Sequence, residues 1–223
     1  MPDLFGGLVP DPQPQEGTEP SRRRRGSVPR LPAEIWHQLL ACEETASAYA
    51  AATYRRGEDQ CWPWCSALSD SGHGKLKAGR AAGGAAGRTV SAHVYGYQLH
   101  HQRLITPTLA VPDPVVAHAC DEPSCQNPNH WHLISRAENL RDFHRRKGAW
   151  PLNDIRTGPG RRSVRAEALR EAVRGAWAAR DQVRALRRRG EPVPAELEAA
   201  ADVEAAFHRA SEAGRPEEPL RLF

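Results

Sequence analysis

The stretch HACDEPSCQNPNHWHLISRAENLRD, residues 118–142, decides how this chain is read. Its first fifteen residues hold two cysteines and three histidines, and its remainder opens a helix. Cys120, Cys125 and His130 follow one another with four residues between successive members. The intervening DEPS and QNPN lack the apolar side chains that would hold a loop in shape. A structural zinc ion would replace that missing core, because its binding free energy goes directly into folding. The fourth ligand must come from a distance, and CWPWC at 61–65 offers Cys61 or Cys65. Spacing leaves two sets open: three cysteines with His130, or the four cysteines 61, 65, 120 and 125. His118 and His132 complete the seven residues able to bind a soft or borderline cation.

Downstream, Ser135-Arg136-Ala137-Glu138 fits a capping box, with Ser135 as N-cap and Glu138 reaching back to it. Asn139 follows at the end of the first turn. Asparagine is unfavourable inside a helix because its amide competes for backbone bonds. An oxygen ligand to a hard cation such as Mg²⁺ would explain its presence, and a solvent-facing asparagine is the plain alternative.

Composition bounds the rest. A chain of 223 residues with 39% hydrophobic residues and a mean hydropathy of −0.65 can hold one moderate domain with appendages, or at most two small domains. Nineteen prolines and eighteen glycines speak against an all-helical bundle. No apolar run approaches the roughly 18 residues of a membrane span, and MPDLFGGLVPDPQPQEG lacks the layout of a secretory signal. These features predict a cytoplasmic protein with reduced thiols, in which five cysteines point to metal ligation before disulfides. Between Arg136 and Arg189 sixteen Lys/Arg face six Asp/Glu, and from Gly190 onward eight acidic residues face three arginines. Such a basic block predicts a polyanionic partner, DNA first, while a solvated arginine-rich helix is the bland reading.

The expected organisation starts with a disordered basic, proline-rich tail over 1–30 and an N-terminal helix over 31–57. Cys42 lies on the apolar stripe of that helix with Ile35 and Leu39, as a buried core thiol. The core spans 58–147. In it Lys75–Lys77 and Thr89–Ser91 form a hairpin with an Ala/Gly-rich tip, basic at Arg80 and Arg88. A short helix over 92–101 and a strand over 115–118 follow. Residues 148–162 are a linker, 163–213 a helical extension running from basic to acidic and broken near 190–194, and 214–223 a tail. In the extension Val164, Leu169, Val173, Trp177, Val183 and Leu186 form an apolar stripe. That stripe admits packing on the core or on a second copy, as a homodimer.

Taken together, CWPW, GHGK, SAH, HACDEPSCQNPNH and AENLRD resemble the zinc-loop branch of the HNH (His-Me finger, ββα-metal) endonucleases, which includes homing and phage enzymes. The resemblance covers about residues 61–147. It implies an α+β fold: a small ββα-metal core with a structural zinc loop, flanked by an N-terminal helix and a C-terminal helical extension. Carried over, Cys61, Cys120, Cys125 and His130 would hold structural zinc, His118 would be the general base, and Asn139 would ligate catalytic Mg²⁺. The implied reaction is DNA phosphodiester hydrolysis leaving 5′-phosphate and 3′-hydroxyl ends, in a bacterial or phage-infected host cell. The alternative function is a zinc-stabilised DNA-binding or regulatory module that does not cut. Lys75, Lys77, Arg80, Arg88, Arg141, Arg145 and Arg146 are the expected DNA contacts. Val94 follows His93 where many relatives carry arginine, and His93 is expected to pack beneath the active site. The final Pro-Leu-Arg-Leu-Phe resembles peptides that bind bacterial sliding clamps, through Leu220, Leu222 and Phe223.

Overall fold

The computed structural model describes residues 31–79, 88–149 and 161–212. Arg80, the side chain of Arg146, and Leu220, Leu222 and Phe223 of the clamp-like tail lie outside the described residues. The described chain from Pro32 onward belongs to a single compact unit. It is an α+β fold with helices at both ends and two small antiparallel hairpins.

The N-terminal segment forms two helices, α1 (Ala33–Ala41) and α2 (Glu43–Ala51), where one was expected. Cys42 separates them in an extended conformation, φ −82° and ψ 107°, and is half-buried rather than a core thiol. The break lets the two helices serve different neighbours, α1 packing on α3 and α2 on β1. Acidic Glu43 and Glu44 sit in the first turn of α2, where the helix dipole favours them.

β1 (Lys75–Ala78) and β2 (Arg88–Ser91) make the expected first hairpin, with Leu76 opposite Val90. Leu76 and Ala78 turn inward while Lys75 and Lys77 are exposed, the alternation of a half-buried strand. α3 (Ala92–His101) follows without a gap and runs through the core. Tyr49 of α2 crosses α3 at Gly96, with its ring 5.7 Å from Trp64 and 5.4 Å from Tyr95. A Cβ on Gly96 would stand 2.1 Å from the Tyr49 hydroxyl oxygen and 2.7 Å from Trp131. Gly96→Ala gains about 1 kcal/mol of helix propensity. The clash, together with the loss of the Tyr49 hydroxyl bond to Gln126, outweighs that gain. A net destabilisation of about 1–3 kcal/mol is expected in the denaturant midpoint; an unchanged or higher midpoint would contradict this packing.

The second hairpin pairs β3 (Pro114–His118) with β4 (Trp131–Ser135), His118 opposite Trp131 and Pro114 opposite Ser135. Only β3 was expected from sequence; β4 is defined by its partner. The cysteine-containing loop connects the two strands, and α4 (Arg136–Ala149) starts directly after β4. The capping box forms as predicted: Ser135 Oγ and N both donate to Glu138 Oε2, at 2.7 and 2.9 Å. Hairpin, loop and helix together match a generic ββα-metal arrangement.

The C-terminal extension is three helices, α5 (Arg161–Arg189), α6 (Ala195–Ala200) and α7 (Val203–Glu212), in place of two stretches. Gly190, at φ +69°, ends α5 with a bond from Glu191 N to Leu186 O and another from Gly190 N to Arg187 O, a Schellman cap. The buried face of α5 includes Leu169, Val173 and Val183 but also Ala166 and Ala176, while Val164 is exposed. Leu169, Val173 and Ala176 pack with Val203, Ala206 and Phe207 of α7 and with Cys65, so this part of the stripe is covered by the same chain. Several arginines on the other face are paired internally: Arg187 with Glu198 and Arg189 with Glu191, each at 2.5 Å, and Arg184 with Asp181 at 3.4 Å. The acidic segment thus neutralises part of the basic helix.

Candidate metal centre and its neighbouring histidine

Cys61, Cys120, Cys125 and His130 converge, their ligand atoms all within 4.8 Å of one another. His130 Nδ1 stands 3.5 Å from Cys125 Sγ and 3.7 Å from Cys61 Sγ. Zinc–sulfur bonds of about 2.3 Å and zinc–nitrogen bonds of about 2.1 Å at a tetrahedral angle place the two atoms about 3.6 Å apart, so the donor set fits. Three neighbouring sulfurs cannot all ionise alone. Hydrogen bonds from the Cys120 and Cys125 thiols pull Cys61 down to about 4, and the same contacts push Cys125 up. A divalent cation resolves that conflict by holding all three as thiolates.

Cys65, the competing fourth ligand, is elsewhere. It is buried among Leu169, Val173 and Phe207, and burial pushes its thiol up to about 12. Four residues from Cys61, it has been recruited into the core between the chain and its C-terminal helices. His132 is exposed on β4.

The loop is better supported than its composition suggested, because polar side chains do the work of apolar ones. Asn127, fully buried, donates to the carbonyls of Glu58 and Gln60 at 2.6 and 2.7 Å and accepts from Asn129 N at 2.9 Å. Gln126 N donates to Trp62 O at 2.7 Å and Trp64 N to Ser124 O at 3.0 Å. These bonds lace the loop to the segment carrying Cys61. Sequence reading passed over Asn127 and Glu122; the Asn-Pro pair at 127–128, a turn-initiating signal, was the available clue.

His118 ends β3, two residues before Cys120, and is 8% exposed. Its Nε2 lies 3.0 Å from Cys125 O. A carbonyl can only accept, so Nε2 carries the proton and Nδ1 of the neutral ring holds the free lone pair. Among buried polar atoms without a partner, Nδ1 of His93 is found but Nδ1 of His118 is not. Among the described residues, no other hydrogen bond of the His118 ring is found. His73 and His93 pack beside it with tilted rings, their centroids 5.8 and 4.8 Å from the His118 ring. His93 therefore packs against His118 as expected, and His73, to which the sequence assigns no role, joins the same cluster. Burial pushes His118 down to about 4 and His93 well below its ordinary value.

Burial, aided by the Arg162 guanidinium, also lowers His73 to about 4 from its ordinary 6.5. The unfolded chain then binds more protons between those values. This imidazole's contribution to stability is complete above pH 6.5 and is lost as pH falls toward 4. The thermal midpoint should drop between pH 7 and 5, and His73→Gln should flatten that drop. Equally steep profiles for both proteins would count against a neutral, half-buried His73.

Asn139 is half-buried on α4, and the neighbouring Asp142 is paired with Arg145 at 2.8 Å. Among the described residues, the Cys₃His group is the one found whose ligand atoms converge closely enough to hold a metal ion. Two surface clefts of about 590 and 360 Å³ flank the start of α4, lined by Arg136, Glu138, Arg141 and Arg145 among others, and neither includes His118. Lys75, Lys77, Arg88, Arg141 and Arg145 are exposed. No helix among the described residues is long and apolar enough to cross a membrane. Compared with family models, curated proteins and solved structures, the chain has no match.

Proposed function

We propose that this protein is a DNA endonuclease, hydrolysing phosphodiester bonds with His118 as general base to leave 5′-phosphate and 3′-hydroxyl ends. Zinc at Cys61, Cys120, Cys125 and His130 is its scaffold. One observation carries the reading: His118 is anchored through Nε2 to a carbonyl inside the metal loop, which leaves Nδ1 as a base in the neutral form. The ring stays neutral at physiological pH because burial lowers its affinity for protons, so the base form is the one present. Nδ1 accepts the proton of the attacking water, and the Cys125 carbonyl stabilises the imidazolium that results.

Asn139 is the proposed Mg²⁺ ligand. When bound, the ion supplies Lewis-acid stabilisation of charge on the phosphate and the departing 3′ oxygen. A single neutral donor leaves that ion dependent on phosphate oxygens, so its binding accompanies DNA binding. Lys75, Lys77, Arg80, Arg88, Arg141, Arg145 and Arg146 are the proposed phosphate contacts. Arg145, itself exposed, must exchange its half-buried partner Asp142 for phosphate, a small cost.

A second reading, a zinc-stabilised DNA-binding or regulatory module without cleavage, is favoured by the Cys₃His cluster itself. That cluster is the best-supported feature of the site, and it accounts for the loop without any reaction. Supercoiled DNA incubated with the purified protein, with and without Mg²⁺, separates the two. Mg²⁺-dependent nicking supports the nuclease, and saturable binding without turnover under any divalent ion supports the module.

A further inference from the structure

The two halves of the metal-ligand set come from segments 59 residues apart in sequence (Cys61 and Cys120). The C-terminal helices hold each of them. On one side Arg56 donates to the carbonyl of Cys61 at 3.4 Å. Its guanidinium is paired with Glu204 of α7 and lies 3.7 Å from the Phe207 ring centroid, and Tyr54 also donates to Glu204 at 3.0 Å. On the other side Arg165 of α5 donates through Nε to Glu122 Oε2 at 2.9 Å. Glu122 lies inside the metal loop, its side chain only 4% exposed, and its second oxygen accepts from Ser124 Oγ at 2.8 Å. The Nη2 of Arg165 reaches Ser211 Oγ of α7 at 3.3 Å, which closes the circuit.

We infer that α5–α7 are a clamp on the metal centre, with Arg165 and Arg56 as positioning residues, so that metal affinity and helix docking are coupled. The inference rests on the Cys₃His group as a metal centre and is independent of whether the protein cuts DNA.

The physical reason lies in Glu122. A carboxylate this deeply buried is tolerated only while its guanidinium partner is present. Removing the partner drives Glu122 toward water, and the loop must follow. Cys125 N is bonded to Glu122 O at 3.1 Å and Cys120 stands two residues away, so both ligands move with it. Coupling of this kind is reciprocal: whatever the clamp adds to metal affinity, metal adds to docking of the clamp. The clamp also gives the basic-to-acidic extension a role that requires no DNA contact.

The test titrates Co²⁺ into the full-length metal-stripped protein and into two variants, Arg165→Met and Arg187→Met. Arg187 is paired with Glu198 of α6, away from the loop, and serves as the control. Arg165→Met is expected to weaken Co²⁺ binding by about 10–100-fold, the range for residues that support metal ligands from behind. Arg187→Met is expected to match the wild type. Equal affinities in all three proteins would overturn the clamp, and failure of the wild type to bind Co²⁺ would overturn the metal centre with it. A second measurement needs no variant. Hydrogen exchange of the wild type before and after chelation should show α5 and α7 losing protection while α3 keeps it. Loss confined to the loop, or equal across all helices, would reject the coupling.

Discussion

His118→Ala is expected to lower the rate of Mg²⁺-dependent DNA nicking by about 10²–10⁴-fold while metal content stays at the wild-type level. The size follows from what the ring does in the proposed reaction: it is the one proposed group that can take a proton from water at neutral pH. Metal content should survive because none of the four clustered ligand atoms belongs to His118. The Cys125 carbonyl that His118 bonds also accepts from Trp131 Nε1 at 3.3 Å, so it keeps a partner. The substitution still removes a buried ring packed on two others, and some loss of stability will accompany it. His118→Gln separates packing from chemistry, because its amide can still donate to the carbonyl but cannot act as a base. Both variants should bind DNA, and neither should cut it faster than that residual rate. Nicking by either variant at the wild-type rate would remove His118 from the reaction and leave the binding module as the better account.

The second large effect concerns the choice between two cysteines. Cys125→Ser should lose the metal and the cooperative fold at 37 °C, whereas Cys65→Ala should keep a full equivalent of metal. Structural zinc binding is worth roughly 10 kcal/mol or more in small zinc domains, as large as the whole stability of a typical domain, about 5–15 kcal/mol. A chain that depends on the ion to hold its loop cannot lose one of four ligands cheaply. Cys65 lies instead in the apolar contact between the Cys61 segment and α5 and α7, so its truncation costs only packing, about 1–2 kcal/mol. Metal per chain, measured beside a thermal melt, reads both effects. If Cys65→Ala lost the metal while His130→Ala kept it, the four-cysteine set would replace the one with His130.

Features that short-range chemistry dictates were legible from the residues alone. Ser135 and Glu138 had to cap a helix because each carries the group the other's backbone lacks, and they do. Cys120, Cys125 and His130 lie within eleven residues, so any compact loop brings them together. Lys75 to Lys77 alternates with period two, and it is a strand. Gly190 ended α5 for the reason any helix ends at glycine, a left-handed residue without a Cβ penalty.

What stayed illegible depends on partners distant in sequence. β4 carries no marked alternation and becomes a strand because β3 offers it a ladder. Cys42 sits on a helical stripe, yet two neighbouring elements demand two helix directions, and the chain turns there. The arginines of α5 read as a polyanion surface until the acidic segment folds back and pairs with several of them. Cys61 and Cys65 differ in nothing that spacing can see. Tertiary structure separates them: the loop's hydrogen bonds draw Cys61 to the three other ligands, while α5 and α7 bury Cys65 at the opposite contact. The residues determined by themselves that a loop of potential metal ligands, with a histidine beside it, exists here. Which thiol completes that loop, and which helices hold it shut, was decided by packing, because burial is a property of neighbours and not of the chain's order.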